Sequence, residues 1–182
     1  MKKQLIQKSK FISLVLRHKP EAADLQLDVH GWADISSLLQ GAIRNGIDIS
    51  REELQEIVDT NEKRRFVICG ETDRIRANQG HSLEIDLQLK PATPPPVLYH
   101  GTTIRFENAI FAQGLKKMKR HHVHLSSNLE TARMVGARHG ELLVLEIYTA
   151  PMLHDGHSFY CSENGVWLTD SIPPQYIKKY IP

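Results

Sequence analysis

Four stretches of this chain hold most of the side chains that could do chemistry: Arg17-His18, Arg64-Arg65, the segment from Arg74 to Ser82, and the run from Lys116 to His124. Arginine beside histidine suits an anion clamp next to a proton donor, because guanidinium stays charged while imidazole titrates near neutral pH. The same pair closes a helix, where bare carbonyls attract cations, so a helix-end charge pair is the competing reading. Arg64 and Arg65 read as a solvated basic turn or as one contributor to a site, since neighbours on a strand point to opposite faces. Residues 74–82 gather donors, a glycine and a histidine after a strand, which suits phosphate contacts and equally a plain polar loop. The run Lys116-Lys117-Met118-Lys119-Arg120-His121-His122-Val123-His124 is a solvated face or a phosphate-facing patch. His122 and His124 share a strand face and could hold a metal, but no cysteine or carboxylate sits nearby at ligand spacing, so no metal is expected. There is no GxGxxG, no GxxxxGK[ST] and no GxSxG, which counts against the common phosphate loops and an ordinary serine hydrolase.

The charge balance limits what these cations can do. Lys and Arg number 23 against 21 Asp and Glu, for a net +2, and ten histidines are many for 182 residues. Residues 1–90 are neutral, with 14 basic and 14 acidic side chains, and residues 91–182 carry 9 against 7. A protein that coats nucleic acid without selectivity shows a larger excess, so an anion site here must come from local placement of a few cations. No apolar run approaches the roughly 20 residues of a membrane-spanning helix. Lys8 and Lys10 interrupt any secretory leader. Two cysteines, Cys69 and Cys161, make no disulfide scaffold, so a reducing, cytoplasmic setting and no membrane partner are expected.

Positioning these residues takes two lobes. Four of the nine prolines fall in Pro91-Ala92-Thr93-Pro94-Pro95-Pro96, a segment that favours extended geometry and reads as a spacer at 91–96 between lobes 1–90 and 97–182. In the first, Leu5, Phe11, Ile12, Val15 and Leu16 recur at helical spacing before Pro20. Asp34 can cap a second helix, and Ser50 with Glu53 forms a capping box for a third. Residues 65–69 and 74–77 then read as a hairpin. Three helices and a hairpin are the order of a winged-helix module, a topology that serves nucleic-acid and protein contacts alike. The second lobe is a strand-rich α+β unit. It has a short strand at Val97-Leu98-Tyr99 ending in His100-Gly101-Thr102, a helix from about Phe106 to Gln113, a strand around His122–Ser126 and a helix from Leu129 to Val135. Further strands are expected at Leu142–Ile147, Phe159-Tyr160 and Val166–Leu168.

Six strings in order resemble the RNA 2′-phosphotransferase family across essentially the whole chain. They are Leu14-Val15-Leu16-Arg17-His18, Arg65-Phe66, Ile75-Arg76-Ala77-Asn78-Gln79-Gly80-His81-Ser82, Leu98-Tyr99-His100-Gly101-Thr102, Arg120-His121-His122-Val123-His124-Leu125-Ser126 and Asn164-Gly165-Val166-Trp167-Leu168-Thr169-Asp170. The resemblance implies an α+β protein with an N-terminal winged-helix RNA-binding lobe and a C-terminal ADP-ribosyltransferase-like NAD-binding lobe. It implies that Arg17, His18, Arg65 and Arg120 are catalytic, the Arg-Phe pairing selecting Arg65 over Arg64. It places His100, Gly101, Thr102, His124 and Ser126 against NAD, and Val166 where many protein-modifying relatives carry a glutamate.

The implied activity is a transferase of tRNA processing and splicing type. An internal 2′-phosphate of RNA is transferred to NAD through an RNA-2′-phospho-ADP-ribose intermediate, releasing nicotinamide and ADP-ribose 1″,2″-cyclic phosphate. NAD is consumed, RNA bearing an internal 2′-phosphate is the partner, and a monomer is expected. A phosphate is ionised before it attacks, consistent with an apolar residue at Val166, and His18 is the candidate general acid for the departing RNA oxygen. Two alternatives remain: an ADP-ribosyltransferase that caps terminal phosphates of nucleic acid, and a non-catalytic winged-helix RNA-binding protein.

Overall fold

Leu5, Ile12, Val15 and Leu16 line one side of the first helix, α1 (Lys3–Arg17), and all four are buried. In the computed structural model, residues 3–61 and 63–181 are described. The chain divides into two compact units, Met1–Gln88 and Leu89–Pro182. In the first unit α1 is followed by β1 (Ala33–Asp34), α2 (Ile35–Arg44), α3 (Arg51–Asp59), β2 (Phe66–Cys69) and β3 (Arg74–Ala77). Asp34 caps α2 by accepting from the Ser37 amide, and Ser50 with Glu53 closes the reciprocal capping box of α3. The strands form an antiparallel sheet in the order β1-β3-β2, with Ala33 opposite Ile75 and Phe66 opposite Ala77. Ile12, Leu16, Leu38, Leu54, Ile57 and Ile75 are fully buried in its core. Each such side chain contributes about 1.5–3 kcal/mol relative to exposure, which fixes the end of α1 against the β2–β3 hairpin.

The second unit contains β4 (Val97–Thr103), α4 (Glu107–Gln113), β5 (Leu115–Lys116), β6 (Val123–Leu125), α5 (Leu129–Gly136), β7 (Leu142–Tyr148), α6 (Thr149–His154), β8 (Tyr160–Cys161), β9 (Trp167–Thr169), β10 (Ser171–Ile172) and β11 (Ile177–Lys179). Two antiparallel three-stranded sheets, β11-β7-β4 and β6-β9-β8, are accompanied by the pair β10-β5. Leu98, Leu145, Ile147, Met152, Phe159 and Leu143 form the core between these elements. The architecture is α+β with small antiparallel sheets.

His100-Gly101-Thr102 closes β4 as the sequence suggests, paired along β7 from Val97↔Tyr148 to Thr103↔Leu142, but one sequence expectation shifts. The proline-rich segment is held by the second unit: Pro91 bridges to Tyr160, the Ala92 amide donates to the Phe159 carbonyl at 2.8 Å, and the Thr149 hydroxyl donates to the Pro95 carbonyl at 2.6 Å. Proline lacks an amide donor but keeps its carbonyl, and Thr149 uses it. Among the described residues no helix is long and apolar enough to cross a membrane.

Candidate active site

Arg17 is the last residue of α1, and the His18 amide still donates to the Leu14 carbonyl at 2.9 Å, so both side chains project from a rigid helix end. The loop after β3 folds back onto that end. The Ser82 amide donates to the Arg17 carbonyl at 3.0 Å, and His18 Nδ1 lies 3.0 Å from Ser82 Oγ. Gly80 sits in this loop at φ +88, beside the Arg17 guanidinium, a conformation that favours glycine.

Arg65 enters from the start of β2. Its carbonyl accepts from the Asn78 amide at 2.9 Å and from Arg17 Nη2 at 3.4 Å, while its own Nη1 donates to Asn61 Oδ1 at 3.2 Å. The Asn78 side chain donates to the Arg64 carbonyl at 2.7 Å. Asn61 and Asn78 are both buried, so these polar contacts are costly to break. The Arg17 guanidinium also faces the Phe66 ring at 5.9 Å. Arg64 has φ +39 and precedes the strand, so the expected strand alternation of Arg64 and Arg65 gives way to a turn. Three site residues named from the sequence, Arg17, His18 and Arg65, thus lie together in the first unit.

The other candidates lie in the second unit. His100 Nδ1 is 2.9 Å from the His124 carbonyl, which can only accept, so Nδ1 carries the proton. Arg120 Nη1 is 2.6 Å from His124 Nδ1, linking Arg120, His124 and His100 in a chain. Burial holds the His100 imidazole below its ordinary pKa of 6.5, the Arg120 charge acts in the same direction, and donation to the His124 carbonyl opposes them. His100 is therefore neutral at pH 7, with a lone pair on Nε2.

Gly101 and Thr102 are pressed under α5. A Cβ at Gly101 would collide with the Ala132 carbonyl, and one at Gly136 would come within 2.8 Å of the Thr102 carbonyl. Ser126 pairs with Tyr99 through both backbone groups, at 2.7 and 2.9 Å, and its hydroxyl bonds the backbone of Asn128, the N-cap of α5. Val166 directly precedes β9, whose Trp167 pairs with Leu125 of β6, and its backbone is held by Ser162. His122 packs on Tyr160 with ring centroids 5.7 Å apart, and burial lowers its pKa. Among the described residues no group of three His, Cys, Asp or Glu side chains gathers as a metal site.

Ser82, Asn61 and Asn78 were not singled out individually in the sequence. Asn78 and Ser82 belong to a string quoted above, whereas Asn61 gave no signal.

The family model described as RNA 2′-phosphotransferase, Tpt1 / KptA family, matches residues 3–171. A protein of Hahella chejuensis named "Probable RNA 2'-phosphotransferase" is 55% identical over 97% of this chain and 95% of its own length. Proteins of the same name from Acaryochloris marina and Pseudomonas fluorescens are 52% and 48% identical, each over 97% of this chain and 97% and 98% of their own lengths respectively. A match of this extent places the chain in the RNA 2′-phosphotransferase, Tpt1 / KptA family.

Proposed function

We propose that this chain removes an internal 2′-phosphate from RNA by transferring it to NAD, with release of nicotinamide and ADP-ribose 1″,2″-cyclic phosphate. The first unit is read as a winged-helix RNA lobe and the second as an ADP-ribosyltransferase-like lobe. One observation carries the reading: Arg17, His18 and Arg65 are held together by direct hydrogen bonds between the end of α1, the start of β2 and the loop after β3. An internal 2′-phosphate beside a 3′,5′-phosphodiester concentrates about three negative charges on one ribose. Guanidinium forks meet phosphate oxygens in paired contacts, so a few well-placed arginines suit this substrate in a chain of net charge +2.

The residues of the second unit fit NAD by their chemistry. His100, neutral with its Nε2 lone pair, suits a ribose hydroxyl, which must donate. Arg120 adds a fixed cation beside His124. Bound NAD supplies an electrophilic ribose carbon with a good leaving group, so the already ionised RNA phosphate needs no strong base. Arg17 and Arg65 hold phosphate oxygens and offset charge growing on them. His18 protonates the departing RNA 2′-oxygen, an effect worth about 10²–10⁴-fold.

Incubation with NAD and a short RNA bearing one internal 2′-phosphate is the test. Nicotinamide and RNA with a free 2′-hydroxyl are the expected products. Binding of that RNA without nicotinamide release would overturn the reading.

A further inference from the structure

We propose that Ser82 is a positioning residue for His18: its hydroxyl accepts from His18 Nδ1–H and donates to the Arg17 carbonyl, so that His18 delivers its proton through Nε2. The inference rests on the function proposed above.

The geometry is a short closed circuit. His18 Nδ1 lies 3.0 Å from Ser82 Oγ, and Ser82 Oγ lies 3.5 Å from the Arg17 carbonyl. The Ser82 amide donates to that same carbonyl at 3.0 Å. The backbone bond fixes the serine, and the hydroxyl fixes the imidazole. Serine can donate and accept at once, and the only role left for its oxygen when its proton points at a carbonyl is to accept. Gly80, at φ +88 beside Arg17, lets the loop return to the helix end.

The consequence for the reaction is specific. As the ribose oxygen attacks phosphorus it loses its proton to water, the bond from phosphorus to the RNA 2′-oxygen breaks, and that oxygen takes the Nε2 proton of the His18 imidazolium. His18 is left neutral, with its proton on Nδ1 and bonded to Ser82. Without Ser82 the neutral ring loses the acceptor that holds that proton on Nδ1.

Ser82→Ala removes the hydroxyl and keeps the amide bond to Arg17. In the free protein, long-range proton–nitrogen NMR of neutral His18 should show the Nδ1–H tautomer, and Ser82→Ala should move it toward Nε2–H. With NAD and 2′-phosphorylated RNA, Ser82→Ala should lower kcat about ten- to hundredfold, the range of one hydrogen bond to a charged group, with KM for both substrates within about twofold. In a His18→Ala background the same change should cost less than about twofold, because its effect runs through the imidazole. An unchanged His18 tautomer, or an equal loss in both backgrounds, would overturn the proposal while leaving the function standing. A wild-type protein that releases no nicotinamide would sink the functional reading instead, and the tautomer spectrum would still decide the role of Ser82.

Discussion

Arg120 Nη1 lies 2.6 Å from His124 Nδ1, and because a guanidinium only donates, that imidazole nitrogen presents its lone pair. Arg120 therefore sets the tautomer of the His124 ring, and the His124 backbone carbonyl accepts from His100. Lysine keeps the charge but not the planar fork. Arg120→Lys should lower the rate of cyclic phosphate release by about ten- to hundredfold. Near-normal turnover would show that a point charge suffices.

His18→Ala should slow the two halves of the reaction unequally. Nicotinamide release needs no proton on the RNA oxygen, whereas departure of the 2′-oxygen does. Single-turnover measurements with labelled RNA should show RNA still joined to ADP-ribose through its phosphate, building up as the later step falls by about 10²–10⁴-fold. Equal slowing of both halves would remove His18 from the role of acid.

Gly101 faces the Ala132 carbonyl so closely that a Cβ there has no room. Gly101→Ala must push α5 away from β4 and should destabilise the protein by about 1–3 kcal/mol, the usual cost of an overpacked site. Urea unfolding monitored by circular dichroism checks this. An unshifted midpoint would mean that α5 adjusts without strain.

Stability should fall with acidity through His100. Its folded pKa lies below 6.5, chiefly because of burial, and His122 is shifted the same way for the same first cause. Well above pH 6.5 neither state of the protein binds the proton, so the full stability is present. As pH falls below that value, the unfolded chain takes up protons that the folded one refuses, and stability drops until the lowered pKa is passed. Each unit of difference amounts to about 1.4 kcal/mol. Urea midpoints from pH 8 to pH 5 should fall less steeply in His100→Asn than in the wild type; identical slopes would contradict the shift.

The elements legible in the sequence were those written in local signals. The Asp34 cap, the Ser50–Glu53 capping box and the β2–β3 hairpin each depend on residues a few positions apart. Missed were β1, β5, β10 and β11, strands of two or three residues that exist only through partners far along the chain, such as Ser171 opposite Lys116. The helix α6 is six residues long and begins Thr149-Ala150-Pro151, too short for periodicity to register. The site divides in the same way. Arg17, His18 and Arg65 sat in recognisable strings, but the bond from His18 to Ser82 spans 64 positions, and no spacing rule relates them. Asn61 was invisible because its task, accepting from Arg65, follows from where the turn before β2 places it.

The central claim is that Arg17 and Arg65 grip the 2′-phosphate itself, and its most direct test is a comparison of binding. Calorimetric titration with two RNAs that differ only in one internal 2′-phosphate should show that the wild type prefers the phosphorylated RNA by at least about tenfold, the worth of a charged hydrogen bond. Arg17→Ala and Arg65→Ala should each remove most of that preference while changing affinity for the unphosphorylated RNA by less than about threefold. If either variant kept the full preference, that arginine would not be a phosphate ligand; if the wild type showed no preference, the account would fail.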